Sequence, residues 1–279
     1  MASADPVAKT SRAGRNLPAA IAVSVALVGL IVASLVFYKD LFLVVVAAAI
    51  LVALWELGRA LATNGTSLPA VPLSLGALAM VFGSYYGGPD VLIVILAATV
   101  LVVTMWRMPR GQSGFVRDVT AAIFCLIYVP FLASFVALLL APADGTQRVL
   151  TFVAVTIASD TGGYVVGVLL GKHPMAPVVS PKKTWEGFAG SAAASMAAAV
   201  ACVVYFFDGQ WWVGLVLGAI AALAATFGDL AESLIKRDLG IKDMSNLLPG
   251  HGGIMDRLDS LLATVSVVWL VLHFLLPAV

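Results

Sequence analysis

The sequence predicts an all-α protein, a polytopic bundle of about nine membrane-spanning helices. Hydrophobic residues make up 61% of the 279 residues and charged residues only 11%, and the mean hydropathy is +1.04, far above that of soluble domains. Apolar runs of about 20 residues, the length that crosses a bilayer, recur along the chain. Lys and Arg cluster between alternate runs, as they do on the cytoplasmic side of membrane proteins.

The predicted elements follow one another with short connections. Residues 1–16 are polar and basic and are predicted to form a cytoplasmic tail. The apolar run at 17–37 is too long for the core of a signal peptide, so it is predicted to be the first span. The other spans are predicted at 40–62, 68–86, 89–106, 118–141, 147–170, 185–207, 210–237 and 257–276. We expect the spans within 17–141 to be a scaffold and residues 142–279 to be the catalytic region, because the polar motifs lie there.

The positive charges predict the orientation of the bundle. With the N-terminus in the cytoplasm, fourteen of the sixteen Lys and Arg residues fall on the cytoplasmic side, and only Lys39 and Arg148 fall outside. Such an excess is typical of cytoplasmic loops. It predicts a C-terminus outside the cell and places every charged motif at the cytoplasmic face.

The densest concentration of charge lies near the end of the chain, from Asp229 to Asp259. It opens with four polar residues whose spacing puts them on one helix face: Asp229, Glu232, Ser233 and Lys236. Glycines at 250, 252 and 253 permit tight turns or a close approach to a ligand. Asp256 and Asp259 then lie one helical turn apart, with Arg257 between them. Carboxylates beside basic residues and a Gly-rich turn suit a divalent cation that holds the phosphates of a nucleotide.

A second polar stretch begins within the predicted span 147–170. Asp160 would lie about 15 Å from the cytoplasmic end of that span, where an ionised carboxylate facing lipid costs at least ~3 kcal/mol. It therefore faces either a polar cavity, with a direct role in binding, or a structural partner such as Lys182. Residues 180–187, SPKKTWEG, open the next helix. A helix N-terminus with Lys182, Lys183 and Thr184 is a ready anion site.

These two stretches resemble the signature of bacterial phosphatidate cytidylyltransferases, the CDP-diacylglycerol synthases of the inner membrane. The matching positions are Ser233, residues 235–237 (IKR), Lys242, Asp243, residues 251–254 (HGGI) and residues 256–259 (DRLD). The SDTG block at 159–162 and the run at 180–187 are also similar to family motifs. The resemblance covers residues 159–259, and before them it offers only hydropathy and Glu56.

The resemblance implies a reaction of CTP with phosphatidate that gives CDP-diacylglycerol and pyrophosphate. Phosphatidate brings its own anionic nucleophile, so the site needs charge neutralisation and in-line positioning rather than a nucleophilic side chain. The resemblance further implies Mg²⁺ and leaves open a second, monovalent or divalent, cation. It implies a homodimer in the inner (plasma) membrane, and no nucleic acid is an expected partner.

Roles follow from the resemblance. Asp229, Asp256 and Asp259 are the expected Mg²⁺ ligands, and with Lys183 they form the expected catalytic set. The residues expected to bind substrate are Ser159, Asp160, Lys182, Thr184, Glu232, Ser233, Lys236, Arg237, His251, Gly252, Gly253 and Arg257. The lysines at 182 and 183 and Arg257 are expected to hold phosphates of CTP, and Lys236 and Arg237 the phosphatidate headgroup.

Three other functions remain open on the sequence. A CTP-dependent kinase of polyprenol or phytol has related membrane motifs, although the whole signature is not expected there. A secondary transporter could use Asp160 for ion coupling, but the charges concentrate at one face and no inverted repeat is visible. A purely structural membrane subunit would have little use for the charged stretch at 229–259.

Overall fold

The computed structural model describes residues 29–35, 37–248 and 252–277, and most of them are helical. The helices are α1 Lys39–Thr63, α2 Ala70–Arg107, α3 Phe115–Leu126, α4 Phe135–Leu140, α5 Gly145–Leu170, α6 Trp185–Phe207, α7 Trp211–Asp238 and α8 Met255–Leu275. A π-helical segment, Ile127–Phe131, joins α3 to α4. The strands β1 Pro174–Ala176 and β2 Ser180–Thr184 form an antiparallel hairpin between α5 and α6. The predicted tail at 1–16 and most of the predicted span at 17–37 lie outside the described residues.

Within the described residues, seven helices are long and apolar enough to cross a membrane. They are Lys39–Thr63, Ala70–Arg110, Phe115–Leu140, Gly145–Leu170, Trp185–Phe207, Trp211–Asp238 and Met255–Leu275. This confirms the all-α polytopic class. The number of nine spans stays a prediction.

Helix α2 folds back on itself at Gly88. This residue has φ 74° and ψ −168°, a conformation that glycine adopts without steric cost, and Pro89 follows it. A Cβ built on Gly76 would lie 2.2 Å from the side chain of Thr99, whereas a straight helix would hold these two residues about 35 Å apart. The two arms are therefore antiparallel, and they correspond to the predicted spans 68–86 and 89–106.

Small residues let the helices of the second half approach closely. A Cβ on Gly162 of α5 would lie 2.6 Å from the carbonyl oxygen of Gly190 in α6. A Cβ on Gly228 of α7 would lie 2.4 Å from the carbonyl oxygen of Asp259 in α8. Small residues at such crossings are the usual means of packing helices in lipid. The two contacts bring polar side chains of α5, α6, α7 and α8 together.

Basic side chains mark one end of the bundle. Lys39 at the start of α1 donates a hydrogen bond to the carbonyl oxygen of Pro142 at 2.9 Å. Arg148 in the first turn of α5 pairs with Asp144 at 2.8 Å and donates to the carbonyl oxygen of Leu276 at 2.7 Å. These are the two basic residues that the charge distribution predicts outside the cell. Which end faces the cytoplasm stays a prediction.

A buried ion pair closes the connection from α2 to α3 at the opposite end. Arg107 Nε lies 2.9 Å from Asp118 Oδ2, and both side chains are buried. Asp118 Oδ1 also accepts the N–H of Ser67 at 3.2 Å. Because the buried charges have partners, the desolvation cost of each is offset. Neither residue lines the cavity described next.

Candidate active site

A cavity of about 500 Å³ lies between α5, α6, α7, α8 and the β-hairpin, a size typical of small-molecule sites. Nine predicted site residues line it: Ser159, Asp160, Lys182, Lys183, Thr184, Asp229, Asp256, Arg257 and Asp259. The two polar stretches of the sequence therefore meet at one place. The cavity lies at the end of the bundle opposite Lys39 and Arg148, because it is formed where α5 and α7 end and α6 and α8 begin.

Asp160 faces this cavity. Its Oδ2 accepts a hydrogen bond from Ser260 Oγ of α8 at 3.3 Å, so its partner is Ser260 rather than Lys182. The neighbouring Ser159 is buried, and its carbonyl oxygen accepts a hydrogen bond from Ser191 Oγ at 2.7 Å. These two residues tie α5 to both α8 and α6 at the depth of the cavity.

The β-hairpin is fastened to the first turn of α6. Thr184 is the N-cap of that helix, and its Oγ1 accepts the N–H of Gly187 at 3.1 Å, as helix caps commonly do. Glu186 accepts the backbone N–H groups of Lys172 at 3.1 Å and His173 at 3.2 Å, and it contacts the His173 ring. These bonds fix the base of the segment that carries the two cavity lysines.

Lys183 crosses from the hairpin to α7. Its Nζ lies 2.6 Å from Asp229 Oδ2, and the two side chains are 23% and 38% exposed. Ser233, one turn further along α7, lies 3.4 Å from the other carboxylate oxygen of Asp229. The pair is open to the cavity, so an arriving phosphate can take the place of Asp229 beside the ammonium.

Lys236 lies inside the protein between two carboxylates. Its Nζ is 2.7 Å from Glu232 Oε2 and 2.9 Å from Asp256 Oδ1. Glu232 is fully buried, and within the described residues its Oε1 has no hydrogen-bond partner. Lys236 and the neighbouring Arg237 do not line the cavity, and their predicted role at a lipid headgroup stays a prediction.

The loop that precedes α8 is held by Asp256. The Oδ2 atom of this residue accepts the N–H groups of Met244 at 2.9 Å and Gly253 at 2.8 Å. Gly252 has φ 81°, which favours glycine over residues with a Cβ. Gly252 and Gly253 therefore shape the loop without lining the cavity, and His251 lies outside the described residues.

Glu56 of α1 is a functional candidate that the sequence analysis connects only with the resemblance. It is fully buried, and it accepts the N–H groups of Ile254 at 3.0 Å and Met255 at 2.8 Å and the hydroxyl of Ser245. The available signal was a carboxylate in an apolar span, which requires a partner. The sequence does not reveal that the partner is the start of α8.

The sequence matches the model of the cytidylyltransferase family over residues 18–275. The chain belongs to this family. The phosphatidate cytidylyltransferase of Mycobacterium leprae is 43% identical, over 95% of this chain and 90% of the relative. The protein of that name from Mycobacterium tuberculosis (strain ATCC 25618 / H37Rv) is 41% identical, over 98% of this chain and 88% of the relative. The one from Staphylococcus aureus (strain N315) is 33% identical, over 82% of this chain and 91% of the relative. The resemblance inferred from the motifs is confirmed, and it extends through the predicted scaffold.

A cytidylyltransferase site must accept a polyanionic nucleotide, and the cavity offers oxygen ligands for a hard cation. Asp160, Asp229, Asp256 and Asp259 line it. The two oxygens of Asp256 accept hydrogen bonds from Lys236 and the backbone of the loop, whereas Asp229 contacts Lys183 and Ser233. Within the described part of the chain, no group of three or more His, Cys, Asp or Glu side chains is arranged to hold a metal ion. Mg²⁺ commonly takes one or two carboxylates and completes its shell with phosphate oxygens and water. The donor set therefore fits an ion that binds together with the nucleotide.

Proposed function

We propose that this protein is a CTP:phosphatidate cytidylyltransferase, which makes CDP-diacylglycerol and pyrophosphate for phospholipid biosynthesis. The observation that carries the proposal is the Lys183–Asp229 pair, which faces a cavity that Asp160, Arg257 and Asp259 also line. Relatives 41–43% identical over nearly the whole chain have this name, which supports the same activity here.

The proposed reaction joins two anions. A phosphate oxygen of phosphatidate attacks the α-phosphorus of CTP, the bond from that phosphorus to the bridging oxygen breaks, and pyrophosphate leaves with the electron pair. The main requirement is positive charge placed where negative charge develops. Lys182, Lys183 and Arg257 supply that charge from the hairpin and from α8. Phosphatidate is itself the nucleophile, so the residues need only bind and align the two substrates.

We assign the Mg²⁺ ligands to Asp229, Asp256 and Asp259, and the identity of the cation rests on the resemblance. When bound, the ion would offset part of the triphosphate charge. Asp229 and Asp259 are the more accessible of the three because Asp256 is engaged by Lys236 and the backbone. In this scheme Lys183 leaves Asp229 for a phosphate oxygen, and Lys236 keeps Asp256 in place. A second cation is compatible with the remaining carboxylates.

We place phosphatidate at the end of α7, where Arg237 is exposed. A long basic side chain at headgroup depth can keep its charge in water while its stem contacts lipid. Lys236 is directed inward to Glu232 and Asp256, so Arg237 is the stronger candidate for contact with the lipid phosphate. Ser233 is also expected in the substrate region through its contact with Asp229.

We propose a multi-pass protein of the inner (plasma) membrane whose cavity faces the cytoplasm, where CTP is found. The seven candidate spans, with α2 counted as two arms and residues 17–37 added, give the nine spans of the prediction. A homodimer is proposed on the resemblance alone. Size determination of the purified protein in detergent tests that state.

The decisive experiment incubates purified protein in detergent with radiolabelled CTP and phosphatidate, with and without Mg²⁺. Labelled CDP-diacylglycerol that requires both substrates supports the proposal. Transfer of phosphate from CTP to a prenol would favour the lipid kinase, and solute flux in vesicles without any CTP chemistry would favour the transporter. Lys172→Ala is the control for loss of a basic side chain near the site, because this residue is exposed and does not line the cavity.

A further inference from the structure

A carboxylate from the predicted scaffold is bound at the start of α8. Glu56 lies in α1, outside the predicted catalytic region, yet its Oε1 accepts the N–H of Ile254 at 3.0 Å and its Oε2 that of Met255 at 2.8 Å. The hydroxyl of Ser245 donates to Oε1 from the same loop. All three donors belong to the segment that leads into Asp256.

The physical role of these bonds follows from the structure of a helix start. The first N–H groups of a helix have no partner within the helix, and α8 has no side-chain cap of its own. Glu56 provides two acceptor oxygens and a negative charge at the positive end of the helix dipole. Because Glu56 is fully buried, water cannot replace it if the carboxylate is removed.

The same segment is held on its other side by Asp256, which lines the cavity. The N–H of Gly253 donates to Asp256 Oδ2 at 2.8 Å, and a Cβ on Gly253 would lie 2.6 Å from Glu56 Oε2. Gly253 therefore lies directly between the two carboxylates. A shift of Glu56 would be passed to Asp256 through contacts that leave no room for a side chain.

We propose that Glu56 is a positioning residue for cytidylyl transfer, and this inference rests on the proposed function. By fixing the first turn of α8, it sets where Asp256, Arg257 and Asp259 lie around the cavity. Glu56 does not line the cavity, so it acts through α8. Helix α1 of the predicted scaffold thereby helps to position the α8 side chains that line the cavity.

The competing interpretation is that Glu56 only stabilises the bundle, as other buried carboxylates do. Asp118 is the matched control, because it is also buried, also accepts a backbone N–H, and lies away from the cavity. Glu56→Gln keeps the size of the side chain but turns an amide N–H₂ group toward N–H or O–H donors. Asp118→Asn makes the corresponding change at the control site.

The test compares these two variants with the wild type by amide hydrogen exchange without substrates and by steady-state kinetics. For Glu56→Gln we expect amide exchange at 253–256 to be about ten- to a hundredfold faster, as loss of a bond to a charged acceptor implies. We expect kcat to fall by a similar factor and the Mg²⁺ concentration for half-maximal rate to rise. Asp118→Asn should lower the unfolding temperature while exchange at 253–256 and the Mg²⁺ dependence stay as in the wild type.

Two results would overturn the inference: unchanged exchange and Mg²⁺ dependence in Glu56→Gln, or equal changes in both variants. If Glu56→Gln does not fold, Ser245→Ala removes one of the three bonds, and wild-type exchange at 253–256 in that variant would also overturn it. If the wild-type protein did not transfer cytidylyl groups, the proposed function would be refuted instead. The exchange measurement would then still test whether Glu56 fixes the start of α8.

Discussion

Lys183 of the β-hairpin and Asp229 of α7 form an ion pair with Nζ and Oδ2 2.6 Å apart. The two residues come from separate polar stretches of the sequence, and their contact joins those stretches across the cavity. Because both side chains are partly exposed, each charge can exchange its partner for a ligand at moderate cost. A phosphate and a cation are the natural replacements, one for each member of the pair.

Removal of the Lys183 ammonium tests the nucleotide side of the cavity. We expect Lys183→Ala to raise the KM for CTP, or to lower kcat if the contact tightens only in the transition state. Loss of one charge-assisted hydrogen bond should reduce kcat/KM about ten- to a hundredfold. Initial rates over a CTP series measure the effect. Lys172→Ala is the control. Equal losses of kcat/KM in the two variants would contradict a specific role of Lys183 in binding CTP.

Arg237→Ala tests the proposed headgroup site. We expect it to weaken the dependence on phosphatidate and to leave the KM for CTP unchanged, because Arg237 does not line the cavity. The measurement varies the mole fraction of phosphatidate in mixed micelles. A change in CTP dependence alone would mean that the basic residues form a single nucleotide cluster and that the headgroup binds elsewhere.

Asn substitutions at Asp229 and Asp259 test the metal assignment. Each keeps one oxygen ligand but removes the negative charge on which affinity for a hard cation depends. We expect at least a tenfold rise in the Mg²⁺ concentration for half-maximal rate, measured by Mg²⁺ titration at fixed CTP. Asp238→Asn, at the exposed end of α7, should behave like the wild type. Near-normal activity of both cavity variants at ordinary Mg²⁺ would make these carboxylates structural.

Fusion reporters test the topology. A reporter at Val279 should be on the outer side of the membrane, and a reporter within 240–250 should be cytoplasmic, because fourteen of the sixteen Lys and Arg residues fall on the predicted inner side. Paired reporters whose signals depend on opposite sides provide the control. A cytoplasmic C-terminus would contradict the nine-span arrangement.

Gly162→Ala tests the contact between α5 and α6. The added Cβ would lie 2.6 Å from the carbonyl oxygen of Gly190, so one backbone must move. We expect a loss of about 1–3 kcal/mol of stability and a lower unfolding temperature in detergent. Gly58→Ala is the control, because its nearest neighbour, a Leu68 methyl group, would be 3.5 Å away. Equal unfolding temperatures for the two variants would contradict the close packing.

Much of the cavity could be predicted because the few charged side chains of an apolar chain must lie where they do not face lipid. A carboxylate such as Asp160 cannot face lipid, so it had to meet the other polar groups, and those are concentrated in two stretches. The reverse turn in α2 was also predicted, since the predicted spans 68–86 and 89–106 leave only residues 87 and 88 between them. These inferences depend on local composition and on the bilayer alone.

The pairing of particular atoms was beyond the sequence. Helical spacing put Lys236 on one face with Asp229 and Glu232, and Lys236 does pair with Glu232. The spacing could not predict that Lys236 also reaches Asp256 of α8, or that Asp229 pairs with Lys183. The resemblance singled out Glu56 without a partner, and the structure shows that it binds the start of α8. Such choices depend on which helices are neighbours, and no pattern along one chain determines that.

The hydrogen bonds from Arg148 join the start of α5 to the end of α8. Arg148 in the first turn of α5 donates to the carbonyl oxygens of Leu272 and Leu276, at the end of the bundle furthest from the cavity. The length of α8, 21 residues, makes a lever of about 30 Å. If α8 rotated by about 4° about this joined end, its cavity end would move by about 2 Å. The bonds of Glu56 to the start of α8 and of Ser260 to Asp160 oppose such a rotation. Helix α8 is thus fastened at both of its ends, which keeps its carboxylates at a fixed distance from those of α5.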